Sequence, residues 1–171
     1  MINPGEILRE RIAQSGPVSF HEFMQTALYH PEGGFYRRRQ SPFGRGGDYF
    51  TAEQLQPVFG ILIAERIRQL HEELGRPADF AVVELGAGRA EMSEAFSGFR
   101  YYPVDIEGGQ WPSGFTGVVF SNEFFDALPV HVAARRGTEF REMMVDWQQD
   151  RFAWIAGEPV NEHLAEYLAR W

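Results

Sequence analysis

The chain has 171 residues, enough for a sizeable core, and 15% of them are aromatic. It contains no cysteine, which excludes disulfides and cysteine-ligated metal sites, and all 16 basic residues are arginine, which excludes lysine-dependent phosphate loops and Schiff bases. The net charge of -8 argues against nucleic acid as a partner, because binding to a phosphate backbone needs a basic surface.

No apolar run approaches the ~20 residues that cross a bilayer, and the amino terminus lacks the pattern of a signal or transit peptide. We therefore expect a soluble, cytoplasmic protein without membrane insertion. The five histidines show none of the close spacings that place two metal ligands on one helix face, so no metal site is predicted.

The first half of the chain predicts two helices joined by a loop. A capping box at residues 19–22 precedes a helix that runs through Leu28, and proline and glycines then end it. Residues 37–47 are polar and aperiodic, as is typical of a loop. A second helix is predicted from about Thr51 to Gly75.

Short apolar runs replace the helical periodicity beyond residue 77. Residues 80–83 are a continuous apolar run before an acid and a glycine turn, which is typical of a buried parallel strand. Further strands are predicted at 101–104 and 118–120, with a short helix at 90–96. The remaining pattern predicts antiparallel strands and a closing helix, at residues 130–134, 143–147, 152–155 and 161–170.

The glycine turn after the first core strand indicates a ligand site. Gly86 and Gly88 would let a ligand approach the backbone closely at the carboxyl edge of the sheet. The dinucleotide fingerprint fails, because its third glycine would be Glu91. Asp105 lies 19 residues beyond Gly86, near the ~20-residue spacing at which a carboxylate contacts ribose hydroxyls. A nucleoside ligand without a pyrophosphate, such as S-adenosylmethionine, fits this pattern, and a plain strand-to-helix turn is the alternative.

Glu84 is an acid that directly follows four apolar strand residues. A buried carboxylate is costly unless it meets a partner. The candidate partners are the ammonium or sulfonium of a bound cofactor and a backbone amide of the protein.

Four motifs, in the same order, resemble those of the MidA family of protein arginine methyltransferases. They lie at residues 17–36, 47–60, 84–89 and 122–130. The resemblance implies an α/β fold with an incomplete Rossmann-like class I methyltransferase core and a C-terminal antiparallel β segment. We place an N-terminal helical region with a lid loop at residues 1–76 and the partial core, which would bind S-adenosyl-L-methionine, at residues 77–171. Eukaryotic members of the family act in the assembly of mitochondrial complex I.

The resemblance also implies roles for individual residues. The expected cofactor contacts are Glu84, Gly86, Ala87, Gly88 and either Asp105 or Glu107, and the expected lid near the methyl group contains Gly47, Asp48 and Thr51. Asn122, Glu123 and Asp126 would face the methyl acceptor. Their alternative role is a helix start, with Asn122 as the N-cap.

The expected function is methyl transfer from S-adenosylmethionine to an arginine of a protein substrate, by a chain that could form a homo-oligomer. Three departures from the family pattern favour an alternative, a catalytically inactive module for binding or assembly. Ala90 stands where the family tends to have glycine, and residues 106–116 are too few for the helix, strand and helix that members carry there. Family members also continue beyond Trp171.

Overall fold

The structure is a computed structural model that describes residues 3–38, 44, 47–48, 55–106 and 108–170. In chain order its elements are α1 (Pro4–Ser15), β1 (Val18–Ser19), α2 (Phe20–Tyr29), α3 (Val58–Glu73), β2 (Ala81–Leu85), β3 (Arg100–Val104), β4 (Gly117–Ser121), β5 (Ala133–Arg136), β6 (Glu139–Gln148), β7 (Arg151–Pro159) and α4 (Glu162–Leu168). They form two compact units, one of residues 1–41 with 128–171 and the other of residues 42–127. The predicted division into residues 1–76 and 77–171 differs from these two units and stays a prediction.

Helices α1 and α2 begin at side-chain caps. The Asn3 side chain accepts a hydrogen bond from the Gly5 amide at 2.9 Å, and Pro4 occupies the first helical turn, where no amide donor is needed. Helix α1 was not expected from the sequence. Of the predicted capping box before α2, the Ser19 N-cap is confirmed, because the Ser19 hydroxyl accepts from the Glu22 amide at 3.1 Å, while the Glu22 carboxylate pairs with Arg11.

The first unit contains an antiparallel sheet built around the long strand β6. Strand β7 pairs with one edge of β6, and β5 and β1 pair with the other. The core of this unit contains buried aliphatic residues from α1, β1 and β6, namely Leu8, Ile12, Val18 and Val145. The antiparallel segment predicted from the sequence is therefore confirmed, and α4 follows it with Asn161 as its N-cap.

The second unit contains a parallel sheet of three strands in the order β3-β2-β4. Val82, in the central strand, is fully buried and packs against Ala64 and Ile67 of α3. Burial of such a side chain contributes about 1.5 to 3 kcal/mol. A doubly wound sheet has its strands, numbered in chain order, side by side as 3-2-1-4. In that scheme β2 corresponds to strand 1, β3 to strand 2 and β4 to strand 4. Residues 105–116 thus connect strands 2 and 4 of that scheme, and those that the structure describes form no third strand.

The short α-helix predicted at residues 90–96 is wrong. The segment forms a 3₁₀ turn at Glu91–Ser93 followed by further turns. Ala90 has a φ of 56°, in the left-handed region, so a right-handed α-helix cannot begin at that residue. The side chains of Met92 and Phe96 are nevertheless buried in the core with Val82.

Among the helices within the described ranges, none is long and apolar enough to cross a membrane.

Candidate functional site

The three parallel strands end level with one another. Leu85, the last residue of β2, is in register with Val104 of β3 and with Ser121 of β4. The residues that follow these ends therefore meet at one edge of the sheet. Because β3 and β4 flank β2 on opposite sides, this edge is a topological switch point, where open α/β sheets bind ligands.

The glycine turn after β2 is held against the end of β3 by its backbone amides. The amides of Gly86 and Ala87 both donate to the Val104 carbonyl, at 2.9 and 3.2 Å, and the Gly88 amide donates to Asp105 Oδ2 at 2.8 Å. Gly86 and Gly88 have φ values of 70° and 57°, which favour glycine. A ligand would therefore meet this turn at its glycine Cα atoms and carbonyl oxygens.

Asp105 fastens the turn to β3. Besides the bond from Gly88, its Oδ1 accepts from the Ile106 amide at 2.6 Å. A carboxylate has about four lone-pair sites, so both oxygens can still accept bonds from ribose hydroxyls. The structural and ligand-binding roles of Asp105 are compatible. Glu107, the alternative ribose contact, lies outside the described residues.

Glu84 is buried, with 6% of its surface exposed, and its Oε2 accepts a short hydrogen bond from the Tyr101 hydroxyl of β3. Burial, and then the hydrogen bond to Glu84, raise the pKa of Tyr101 far above its usual range, so this hydroxyl remains a donor. Tyr101 was not anticipated from the sequence, which suggested a cofactor cation or a backbone amide as partners of Glu84. Only the strand register could have revealed it.

Phe124 is a second residue that sequence reasoning missed. Its ring lies against the glycine turn, because a Cβ atom on Gly86 would be 2.7 Å from Phe124 Cδ2. A Cβ atom on Gly88 would be close only to Glu91 Oε2, at 3.5 Å. Gly86 is thus required for packing as well as for its backbone angle, whereas Gly88 leaves room beside the turn.

Asn122, Glu123 and Asp126 follow β4 at the same edge of the sheet. Glu123 and Asp126 are exposed and Asn122 is half-buried, and their side chains make no hydrogen bond or ion pair with the residues that the structure describes. Instead of an α-helix, a 3₁₀ turn follows at Phe125–Ala127. Glu123 has a φ of 52°, an unusual conformation for a residue with a side chain. In the described part of the chain, no group of three His, Asp or Glu residues could hold a metal ion.

The expected lid is described only in part. Gly47 lies in a turn in which its amide donates to the Gly44 carbonyl at 2.8 Å, and Asp48 is exposed. Thr51 lies outside the described residues. The lid role of these residues stays a prediction.

Residues 97–171 match the model of a family described as "Putative S-adenosyl-L-methionine-dependent methyltransferase". The mitochondrial protein arginine methyltransferase NDUFAF7 homolog of Drosophila melanogaster is 26% identical over 192 residues, covering 81% of this chain and 44% of the relative. The Caenorhabditis elegans homolog is 25% identical, covering 85% of this chain and 46% of the relative. Among solved structures, a COG1565 superfamily member from Burkholderia thailandensis bound to S-adenosyl-homocysteine is similar with a TM-score of 0.75 and 27% identity, covering 97% of this chain and 52% of that one.

The chain spans about half the length of the relatives that it matches. The alignment with the Drosophila protein extends over 192 residues, although it includes only 81% of this chain of 171 residues. The Drosophila protein therefore has internal segments that this chain lacks. The relatives are named as mitochondrial proteins, so the cytoplasmic location predicted from the sequence is wrong.

Proposed function

We propose that this chain, which belongs to the MidA family of S-adenosylmethionine-dependent methyltransferases, binds S-adenosylmethionine at the carboxyl edge of the β3-β2-β4 sheet and methylates an arginine of a protein substrate. The observation that carries the proposal is the position of the glycine turn. It lies at the switch point of the sheet, between the buried carboxylate of Glu84 and the carboxylate of Asp105. The protein arginine methyltransferases among the relatives support the choice of substrate.

In this proposal the cofactor lies along the turn at Gly86, Ala87 and Gly88. Asp105 accepts hydrogen bonds from the ribose hydroxyls through lone pairs that the Gly88 and Ile106 amides leave available. Glu84 provides negative charge near the methionine portion. Gly47, Asp48 and Thr51 would cover the methyl group and keep water from it.

Methyl transfer is an in-line displacement. A guanidinium nitrogen forms a bond to the methyl carbon, the bond from that carbon to sulfur breaks, and its electron pair remains on sulfur as S-adenosylhomocysteine departs. Enzymes accelerate such a reaction chiefly by alignment. The exposed carboxylates of Glu123 and Asp126 would orient the guanidinium and receive the proton that the nitrogen loses, and the Asn122 amide would help to hold the acceptor.

Binding is tested by thermal unfolding with S-adenosylhomocysteine. Ligand at ~100 times its dissociation constant should stabilise the folded chain by about 2.7 kcal/mol. Gly88→Val should remove this shift, because its side chain enters the space beside the turn. Gly114→Val is the matched control, since Gly114 also has a positive φ and open surroundings but lies before the start of β4. Absence of a shift in the folded wild-type chain would refute cofactor binding at this edge.

The second candidate is a module that binds partners or cofactor without catalysis. It is favoured by the internal segments that the chain lacks relative to the Drosophila protein. It is also favoured by Ala90, an alanine with a positive φ where the family tends to have glycine. Transfer of a labelled methyl group to arginine-containing proteins distinguishes the two candidates. Label on arginine supports the enzyme, whereas binding without label under saturating cofactor supports the module. The homo-oligomer stays a prediction.

A further inference from the structure

Tyr101 and Glu84 lie on adjacent strands of the parallel sheet and share one of its faces. Tyr101 is in register with Val82, and side chains two residues apart on a strand point to the same face, so the face of Val82 is also that of Glu84. The Tyr101 hydroxyl donates to Glu84 Oε2 at the end of the central strand, directly before the glycine turn.

The Tyr101 ring lies in mostly apolar surroundings. The Tyr101 ring packs against Phe96, with 5.4 Å between ring centroids, and the same cluster includes Val82, Met92 and residues of α3. Strand β4 contributes Val118 and Phe120 to the cluster. Among the described residues, Glu91 is a second charged group, besides Glu84, that acts on the Tyr101 hydroxyl. Both are acids, so the hydroxyl keeps its proton and acts as a donor to carboxylate.

The Tyr101 hydroxyl contributes more than packing. A phenylalanine would fill the same space against Phe96, so the oxygen atom adds only the bond to Glu84. A hydrogen bond to the ionised form of a buried carboxylate favours that form and fixes its orientation. In surroundings of low dielectric, such a carboxylate attracts a cation more strongly than an exposed one does.

We infer that Tyr101 is a positioning residue, whose hydroxyl holds the Glu84 carboxylate ionised and oriented to bind the ammonium of the methionine portion of the cofactor. The inference depends on the proposed function. The other carboxylate at this turn, Asp105, accepts from the Gly88 and Ile106 amides, and Glu84 is the carboxylate directly before the turn, where an ammonium could bind.

The test compares two ligands and two matched variants. S-adenosylhomocysteine carries the ammonium, whereas 5′-methylthioadenosine shares the adenosine and sulfur but lacks the amino acid portion. Tyr101→Phe removes the bond to Glu84. Tyr102→Phe is the same change at the neighbouring residue, which lies on the opposite face and whose hydroxyl accepts from Arg100 at 3.0 Å.

Calorimetric titration at neutral pH should show that Tyr101→Phe binds S-adenosylhomocysteine about tenfold more weakly, as expected for losing one hydrogen bond to a charged group. Its affinity for 5′-methylthioadenosine should be unchanged, and Tyr102→Phe should change neither affinity.

Equal losses for both ligands, or no loss for either, would overturn the role of Tyr101 while leaving the proposed function intact. A wild-type chain that binds neither ligand would overturn both. If Tyr101→Phe does not fold by circular dichroism, Glu84→Gln replaces it, because that change removes the charge and keeps a group that can accept from Tyr101. The same selective loss of S-adenosylhomocysteine binding is then expected, and its absence refutes the inference.

Discussion

Phe124 lies directly against Gly86, with its Cδ2 atom 2.7 Å from the position that a Cβ on Gly86 would take. This contact joins the segment after β4 to the turn after β2. The segment that carries the proposed acceptor residues is therefore packed against the cofactor turn through Phe124.

Gly86→Ala should destabilise the chain by about 2 to 5 kcal/mol. The left-handed conformation costs a non-glycine residue about 1 to 2 kcal/mol, and overpacking against Phe124 adds about 1 to 3 kcal/mol. Urea unfolding measures the loss. In a Phe124→Ala background the ring is absent and the Cβ atom of residue 124 remains, 3.2 Å from the added Cβ, so the same change should cost less. An equal cost in both backgrounds would show that the contact with Phe124 does not matter.

Asp105→Asn should reduce both stability and cofactor affinity. Two backbone amides donate to the two carboxylate oxygens of Asp105, and an asparagine has only one acceptor oxygen, so one bond is lost, at a cost of about 1 kcal/mol in stability. The affinity for S-adenosylhomocysteine should fall by about 1 to 3 kcal/mol. Asp79→Asn is the control. Asp79 Oδ2 accepts from the Thr116 amide and hydroxyl before the start of β4, so its variant weakens these bonds by removing the charge, away from the glycine turn, and should keep its affinity. Unchanged affinity in Asp105→Asn would exclude Asp105 from the ligand site.

Ala90→Gly should stabilise the chain by about 0.5 to 1 kcal/mol. Ala90 has a φ of 56°, and relief of its strain of about 1 to 2 kcal/mol exceeds the added backbone entropy of a glycine in the unfolded chain. The midpoint of chemical denaturation should rise. Ala95→Gly serves as the control, because Ala95 packs against the core without a positive φ and its replacement should destabilise. A fall in the midpoint for Ala90→Gly would mean that its methyl group contributes more than the strain costs.

The elements that carry the site could be predicted from the sequence, because each depends on local pattern. The continuous apolar run at 80–83 predicted a buried parallel strand, and β2 is the central strand of the sheet. The capping box at Ser19 likewise predicted the start of α2. The 3₁₀ turn at Glu91–Ser93, which follows the left-handed residue Ala90, could not be distinguished from the start of an α-helix by composition alone.

The partners within the site could not be predicted in the same way. Tyr101 reaches Glu84 because of the register of β3 on β2, and Phe124 reaches Gly86 because β4 lies beside β2. Both contacts depend on strand order and on pairing across long stretches of sequence. Spacing did identify Asp105 as a carboxylate near the turn, but its bonds to the Gly88 and Ile106 amides emerge only from the fold.

Glu123→Gln should separate binding from chemistry. Glu123 is exposed, follows β4, and lies across the central strand from Asp105, so it should contact the acceptor more than the cofactor. Glutamine keeps the size and a hydrogen-bonding group but removes the charge that orients a guanidinium and accepts its proton. Transfer of labelled methyl to an acceptor protein should slow by about 10² to 10⁴ fold, while affinity for S-adenosylhomocysteine changes by less than roughly tenfold.

Glu94→Gln is the control for this change, because Glu94 is also exposed in the same unit but follows the 3₁₀ turn at Glu91–Ser93. It should leave both rate and affinity unchanged. If Glu123→Gln loses affinity along with rate, Glu123 belongs to the cofactor site. If neither changes, its charge has no part in the reaction, and the acceptor must be held by other residues at this edge of the sheet, with Asp126 as the next to test.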